Sequence, residues 1–78
     1  MREKQNCVVV TFYTTAEAMA TKKLCSQNRI KGRLIPAPRS LSADCGIAWR
    51  SDISYSDRLK EALTDAEIEY AGIHEIMI

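Results

Sequence analysis

The residue whose type and setting can do chemistry is Cys45, in the stretch RLIPAPRSLSADCGIA. A thiolate is a nucleophile where a thiol is not, so the charges around the sulfur decide what it can do. Arg33, Arg39 and Arg50 occupy the flanking segments and favour the thiolate, whereas the adjacent carboxylate of Asp44 disfavours a second negative charge. The sequence leaves that balance open. Gly46 follows directly and removes a side chain from beside the sulfur, so that a reactant or partner backbone can approach. Pro36 and Pro38 fix two φ angles and restrict the path into the loop. Ser40 and Ser42 suit bending the loop through backbone hydrogen bonds, and Ser42 can also donate to a charged sulfur. A cysteine beside a glycine can be a small hydrophobe and nothing more; the restrained loop sets this one apart.

The other candidates are weaker. Cys7 starts an apolar run and Cys25 falls on or beside the apolar stripe of a helix, so core packing is expected of both. A zinc site would need Cys7, Cys25, Cys45 and His74 to converge, without the paired short spacings that mark zinc motifs, and no metal is expected. His74 alternates with isoleucines and reads as a strand residue, not a general base. No Ser-His-Asp arrangement is apparent. With glycines only at 32, 46 and 72 there is no phosphate-cradling loop, and no cofactor is called for.

The elements that must position Cys45 follow from periodicity. Cys7 to Phe12 (CVVVTF) is β-branched and apolar on both faces, which predicts a central strand, β1. Thr14 or Thr15 can cap a helix, α1, with Glu17 in its first turn and an expected apolar stripe of Ala16, Met19, Ala20, Leu24 and Cys25, ending near Asn28. Thr14, Thr15 and the backbone N–H groups there can also receive an anion, although capping alone accounts for them. Arg33 to Pro36 predicts an edge strand, β2, closed by a proline that cannot donate to a ladder. Ala37 to Asp44 is a loop, and Gly46 to Arg50 a short strand, β3. Ser54 or Ser56 can cap a second helix, α2, with Leu59, Ala62, Leu63 and Ala66 inward and Asp57, Arg58, Lys60 and Glu61 outward. Tyr70 to Ile78 predicts a closing strand, β4. The order βαββαβ is that of an α+β, ferredoxin-like sandwich: a four-stranded antiparallel sheet with both helices on one face, β1 and β3 central and β2 at an edge.

Seventy-eight residues predict one domain over 1–78, and 46% apolar with 27% charged residues is an ordinary globular composition. A net charge of +1 gives no reason to expect a polyanion. Ferredoxin-like sheets often bind RNA through central-strand aromatics, but Phe12, Tyr13 and Trp49 come without the basic, glycine-rich strand signature, so no nucleic acid is expected and Trp49 reads as core or as a wall beside the loop. No apolar run approaches the roughly 18 residues of a membrane span, and no secretory segment follows the polar start, so the expectation is no membrane association and a cytoplasmic location. Three cysteines at wide, unequal spacings fit a reducing compartment.

The start TFYTTAEAMA together with RLIPAPRSLSADCGIAW resembles the selenium/sulfur carrier protein-like family, a small domain formerly of unknown function. The ordered set Arg33, Pro36, Pro38, Arg39, Ser42, Cys45, Gly46 and Ala48 carries the resemblance most specifically, and it spans almost the whole chain. It implies a carrier thiol that takes sulfur or selenium as a persulfide or perselenide and passes it to a biosynthetic enzyme. The small sulfur carriers with a Cys-Pro-x-Pro motif at a helix start are alike only by analogy, because here the prolines precede the cysteine in a loop before a strand. Asp44 departs from the small, uncharged residue expected before the cysteine.

On that basis Cys45 holds the cargo, Arg39 and Arg33 stabilise negative sulfur or selenium, and Gly46 keeps the approach open. The chain is then a co-substrate more than an enzyme, with donor and acceptor enzymes as partners, and the open face of its sheet offers a surface for a homodimer. The rival is a regulatory or small-anion-binding module in which Cys45 senses oxidation.

Overall fold

In the computed structural model, which describes residues 6–38, 41 and 46–77, the chain runs through β1 (Asn6–Thr11), α1 (Thr15–Gln27), β2 (Gly32–Pro36), β3 (Ile47–Asp52), a 3-10 turn (Ile53–Tyr55), α2 (Ser56–Asp65) and β4 (Gly72–Met77). The strands form one antiparallel sheet in the order β2-β3-β1-β4, so β1 and β3 are central and β2 is an edge, as the buried run of β1 and the closing Pro36 imply. Strand periodicity turns Val8 and Val10 toward the helices, where they join Phe12, Trp49, Ala18, Cys25, Leu59 and Leu63 in the core. Cys7, Val9 and Thr11 point to the other face and are buried too. On that face Val9 has Arg50 and His74 as its register neighbours on the two flanking strands.

Helix α1 begins with a capping box. The Glu17 N–H donates to the Thr14 hydroxyl at 3.3 Å, and the Thr14 N–H donates back to Glu17 Oε1 at 3.2 Å. Its inward face differs from the expected stripe. Ala18, Thr21 and Cys25 are buried with Leu24 beside them, whereas Ala16, Ala20 and Met19, 49% exposed, face outward. The reason is that the helix carries small apolar residues on both sides, so periodicity does not select a face. Thr21 can turn inward because its hydroxyl donates to the Glu17 carbonyl at 3.0 Å and leaves no unsatisfied polar group.

Helix α2 corrects a second expectation, since neither Ser54 nor Ser56 is its cap. The Asp52 carboxylate accepts the Ser54 N–H at 2.9 Å and starts the 3-10 turn, which runs directly into α2. Ser56 is the first helical residue, and its hydroxyl donates to Glu75 on β4 at 3.3 Å. Leu59 and Leu63 are fully buried, Ala62 is half-buried, and Ala66 falls at the C-cap, exposed. Burying each leucine contributes about 2 kcal/mol. Arg58 Nη2 donates to the Asn28 carbonyl at 2.8 Å, tying α2 to the end of α1.

The bounds of all four strands shift by a residue or two, β1 to Asn6–Thr11 and the start of β2 to Gly32 among them. β3 continues to Asp52 because Arg50, Ser51 and Asp52 keep pairing with β1, and β4 starts at Gly72, opposite Thr11.

Candidate functional site

The loop that carries Cys45 springs from the β2–β3 pair, where Pro36 stands opposite Ile47. One step further out, the Ala37 N–H donates to the Gly46 carbonyl at 3.0 Å and closes the base of the loop. Beyond it, the Leu41 N–H donates to the Pro38 carbonyl at 2.9 Å. Pro36 and Pro38 flank Ala37, so the donor in this short stretch is the one residue able to supply it. Gly46 has φ +74°, a conformation that favours glycine, and a Cβ placed there would meet none of the described residues within 4 Å. Backbone shape is thus what requires a glycine at 46. Cys45, Arg39 and Ser42, like Ser40 and Asp44, lie outside the described residues.

Arg33 and Arg50 are direct register partners on β2 and β3, on the face away from the helices. The strand from Arg33 to Pro36 places the pair about 10 Å from the base of the loop. Among the described residues the salt bridge is Lys60 with Glu75 at 3.8 Å, so neither guanidinium is paired with a described carboxylate. Asp52 is held below the usual carboxylate range, chiefly by hydrogen bonds from Ser54 and to a smaller extent by the charge of Arg50. Lys31 and Tyr55 lie around the same two arginines. They were not singled out in the sequence, because only the strand register and the turn after β3 bring them there.

The remaining candidates have structural places. Cys25 is fully buried, and desolvation pushes its thiol up to about 11, so it stays a neutral core group. Cys7 is buried on the opposite face of the sheet, which separates the two cysteines by the sheet itself and removes the four-ligand zinc arrangement. His74 is half-buried on β4 and folds toward Gly72, where a Cβ would come within 2.8 Å of its Nε2. At the TFYTT segment Glu17 Oε1 accepts from both Tyr13 and Thr14 N–H groups, so the cap occupies the donors that an anion would use. Trp49 is core: it is buried and its Nε1–H donates to Ser51 Oγ at 2.7 Å. A Cβ on Gly32 would clash with the Arg50 carbonyl and come within 2.7 Å of the Trp49 ring, so the indole packs where only a glycine leaves room. Phe12 and Trp49 both bury on the helix side, away from the open sheet face on which RNA-binding domains stack bases. Among the described residues no helix is long and apolar enough to cross a membrane.

The described residues define a small α+β domain of ferredoxin-like topology, and the sequence between its strands β2 and β3 carries two prolines and ends in Cys-Gly. The family model described as "Putative Se/S carrier protein-like" matches residues 7–75, and the chain belongs to that family. No curated protein and no solved structure matches the chain.

Proposed function

We propose that this protein carries sulfur or selenium on Cys45 as a persulfide or perselenide and delivers it to a partner enzyme. The observation that carries the reading is the family match over residues 7–75, which takes in the whole of the loop. Two features support it: the loop base is fastened by the Ala37–Gly46 hydrogen bond, and none of the described residues crowds Gly46. Buried Cys25 and Cys7 are poorly placed for the same work.

In the transfer, the Cys45 thiolate attacks the terminal sulfur of a donor persulfide. A new S–S bond forms at Cys45, the donor's S–S bond breaks, and its electron pair leaves with the donor thiolate, so no outside oxidant or reductant is consumed. An acceptor nucleophile then attacks the terminal atom and releases Cys45 as thiolate. Selenium follows the same balance. Arg39 stabilises the anionic terminal atom, Ser42 donates a hydrogen bond to it, and Gly46 admits the partner, whereas Arg33, about 10 Å from the base of the loop, is left out of this step. The whole chain acts as one domain and as a co-substrate, inside a reducing compartment.

Incubation with a cysteine desulfurase and cysteine, followed by intact mass measurement without reductant, tests this. A gain of about 32 Da per sulfur on wild type, absent from Cys45→Ser, is expected. No gain on wild type, or an equal gain on the variant, contradicts it.

A further inference from the structure

At the end of the β2–β3 pair remote from the loop lies an open cavity of about 410 Å³, lined by Lys31, Gly32, Arg33, Arg50, Ser51, Asp52 and Tyr55. Three of these side chains are cations and one is a carboxylate, so the lining is more positive than the entire chain, which carries +1. The rest of the molecule is therefore net negative, and the positive charge has been gathered here.

The arrangement is costly unless something neutralises it. Arg33 and Arg50 stand directly opposite each other in an antiparallel pair, a position in which like charges destabilise a sheet. The carboxylate at hand, Asp52, accepts the Ser54 N–H and is committed to starting the 3-10 turn. Arg50 is half-buried, which weakens its access to water as an alternative source of screening. The exposed Arg33 and the half-buried Arg50 line one cavity from register positions, each guanidinium carries an N–H fork suited to the oxygens of a tetrahedral anion, and Lys31 adds a third positive charge to the lining.

The geometry points to a binding site for a phosphate- or sulfate-type oxyanion between Arg33 and Arg50, closed on one side by Lys31 and Tyr55. It is separate from the Cys45 loop and does not rest on the cargo-carrying role. The oxyanion is either the free ion or the head of a small ester. A second cavity, of about 540 Å³, shares Lys31, Gly32 and Arg33 and continues past Lys22 and Ser26 to the half-buried Leu34, which offers an ester's organic part a small apolar contact.

The test is a titration of the labelled full chain with inorganic phosphate and with phenyl phosphate, at fixed ionic strength, followed by amide and arginine side-chain NMR. Saturable shifts centred on Lys31, Arg33, Arg50 and Tyr55 are expected, with affinity reduced roughly ten-fold or more in Arg33→Gln and in Arg50→Gln. Lys23→Gln, an exposed charge change on α1, and Cys45→Ser should leave the affinity unchanged. Tighter binding of phenyl phosphate assigns an ester, and equal or weaker binding assigns the free ion. A thermal melt supplies an independent check: without oxyanion either arginine variant should melt at or above wild type, and phosphate should raise the melting temperature of wild type alone. Shifts spread evenly over all surface lysines, no saturation, or an affinity in both arginine variants equal to that of wild type would overturn the proposal.

Discussion

The two ends of the β2–β3 hairpin make different kinds of site. At one end Ala37 and Gly46 fasten a loop whose chemistry is written contiguously, prolines first and then Cys45 and Gly46. At the other end Lys31, Arg33, Arg50 and Tyr55 meet only because the strands pair in one register and the chain turns after Asp52. The glycines mark the contrast. Gly32 is required by what surrounds it, and Gly46 by its own backbone angle. A site made by a loop can tolerate change around it, whereas a site made by register depends on packing beneath the sheet.

The largest expected effect follows from that difference. Gly32→Ala forces a methyl against the Arg50 carbonyl and the Trp49 ring, and should cost about 3 kcal/mol in urea unfolding, with the oxyanion affinity falling as the register shifts. Gly46→Ala meets none of the described residues and should cost only about 1 kcal/mol, from its left-handed backbone. If the two costs were equal, the contrast between the ends would fail.

The cysteines sharpen it from the side of charge. Because Cys25 is raised from 9.0 to about 11 in the folded chain, the unfolded chain releases its proton first as the pH rises. Stability is therefore complete below pH 9 and falls between about 9 and 11, by roughly 2 kcal/mol, and Cys25→Ala should remove that slope. At pH 8 iodoacetamide should leave Cys25 unmodified in the native state, as mass mapping would show, and label it once the chain is unfolded. The smallest effect lies far from both ends: Thr14→Ala loses the capping box and should destabilise by about 1 kcal/mol, with no change in oxyanion affinity.

Much of this architecture is legible in the sequence, and the exceptions have identifiable causes. β1 announces itself by the β-branched run CVVVTF, apolar on both faces, and β2 by its closing proline, so the central and edge strands could be assigned in advance. α1 was equally plain as a helix but not in its orientation, since Ala16 and Ala20 offer as apolar a face as Ala18, and a threonine was the residue that turned inward. The start of α2 was hidden because Asp52, still within β3, caps the 3-10 turn that runs into it, and the helix itself starts after Tyr55 with no side-chain cap from Ser54 or Ser56. Of the candidate site, Cys45, Arg39 and Ser42 could be named from their order along the chain, and they lie outside the described residues. Arg33 was named for its place beside the loop; its pairing with Arg50 belongs to a register that no single segment encodes.

The central claim is that Cys45 bears a transferable sulfur, and cyanide tests it most directly. Chain loaded by a desulfurase and freed of small molecules should react with cyanide, which attacks the terminal sulfur, leaves as thiocyanate and returns Cys45 to the thiolate. The account predicts about one thiocyanate per chain, return of the mass to its unloaded value, and none from Cys45→Ser. Thiocyanate in equal amount from the variant, or none from wild type, would contradict it.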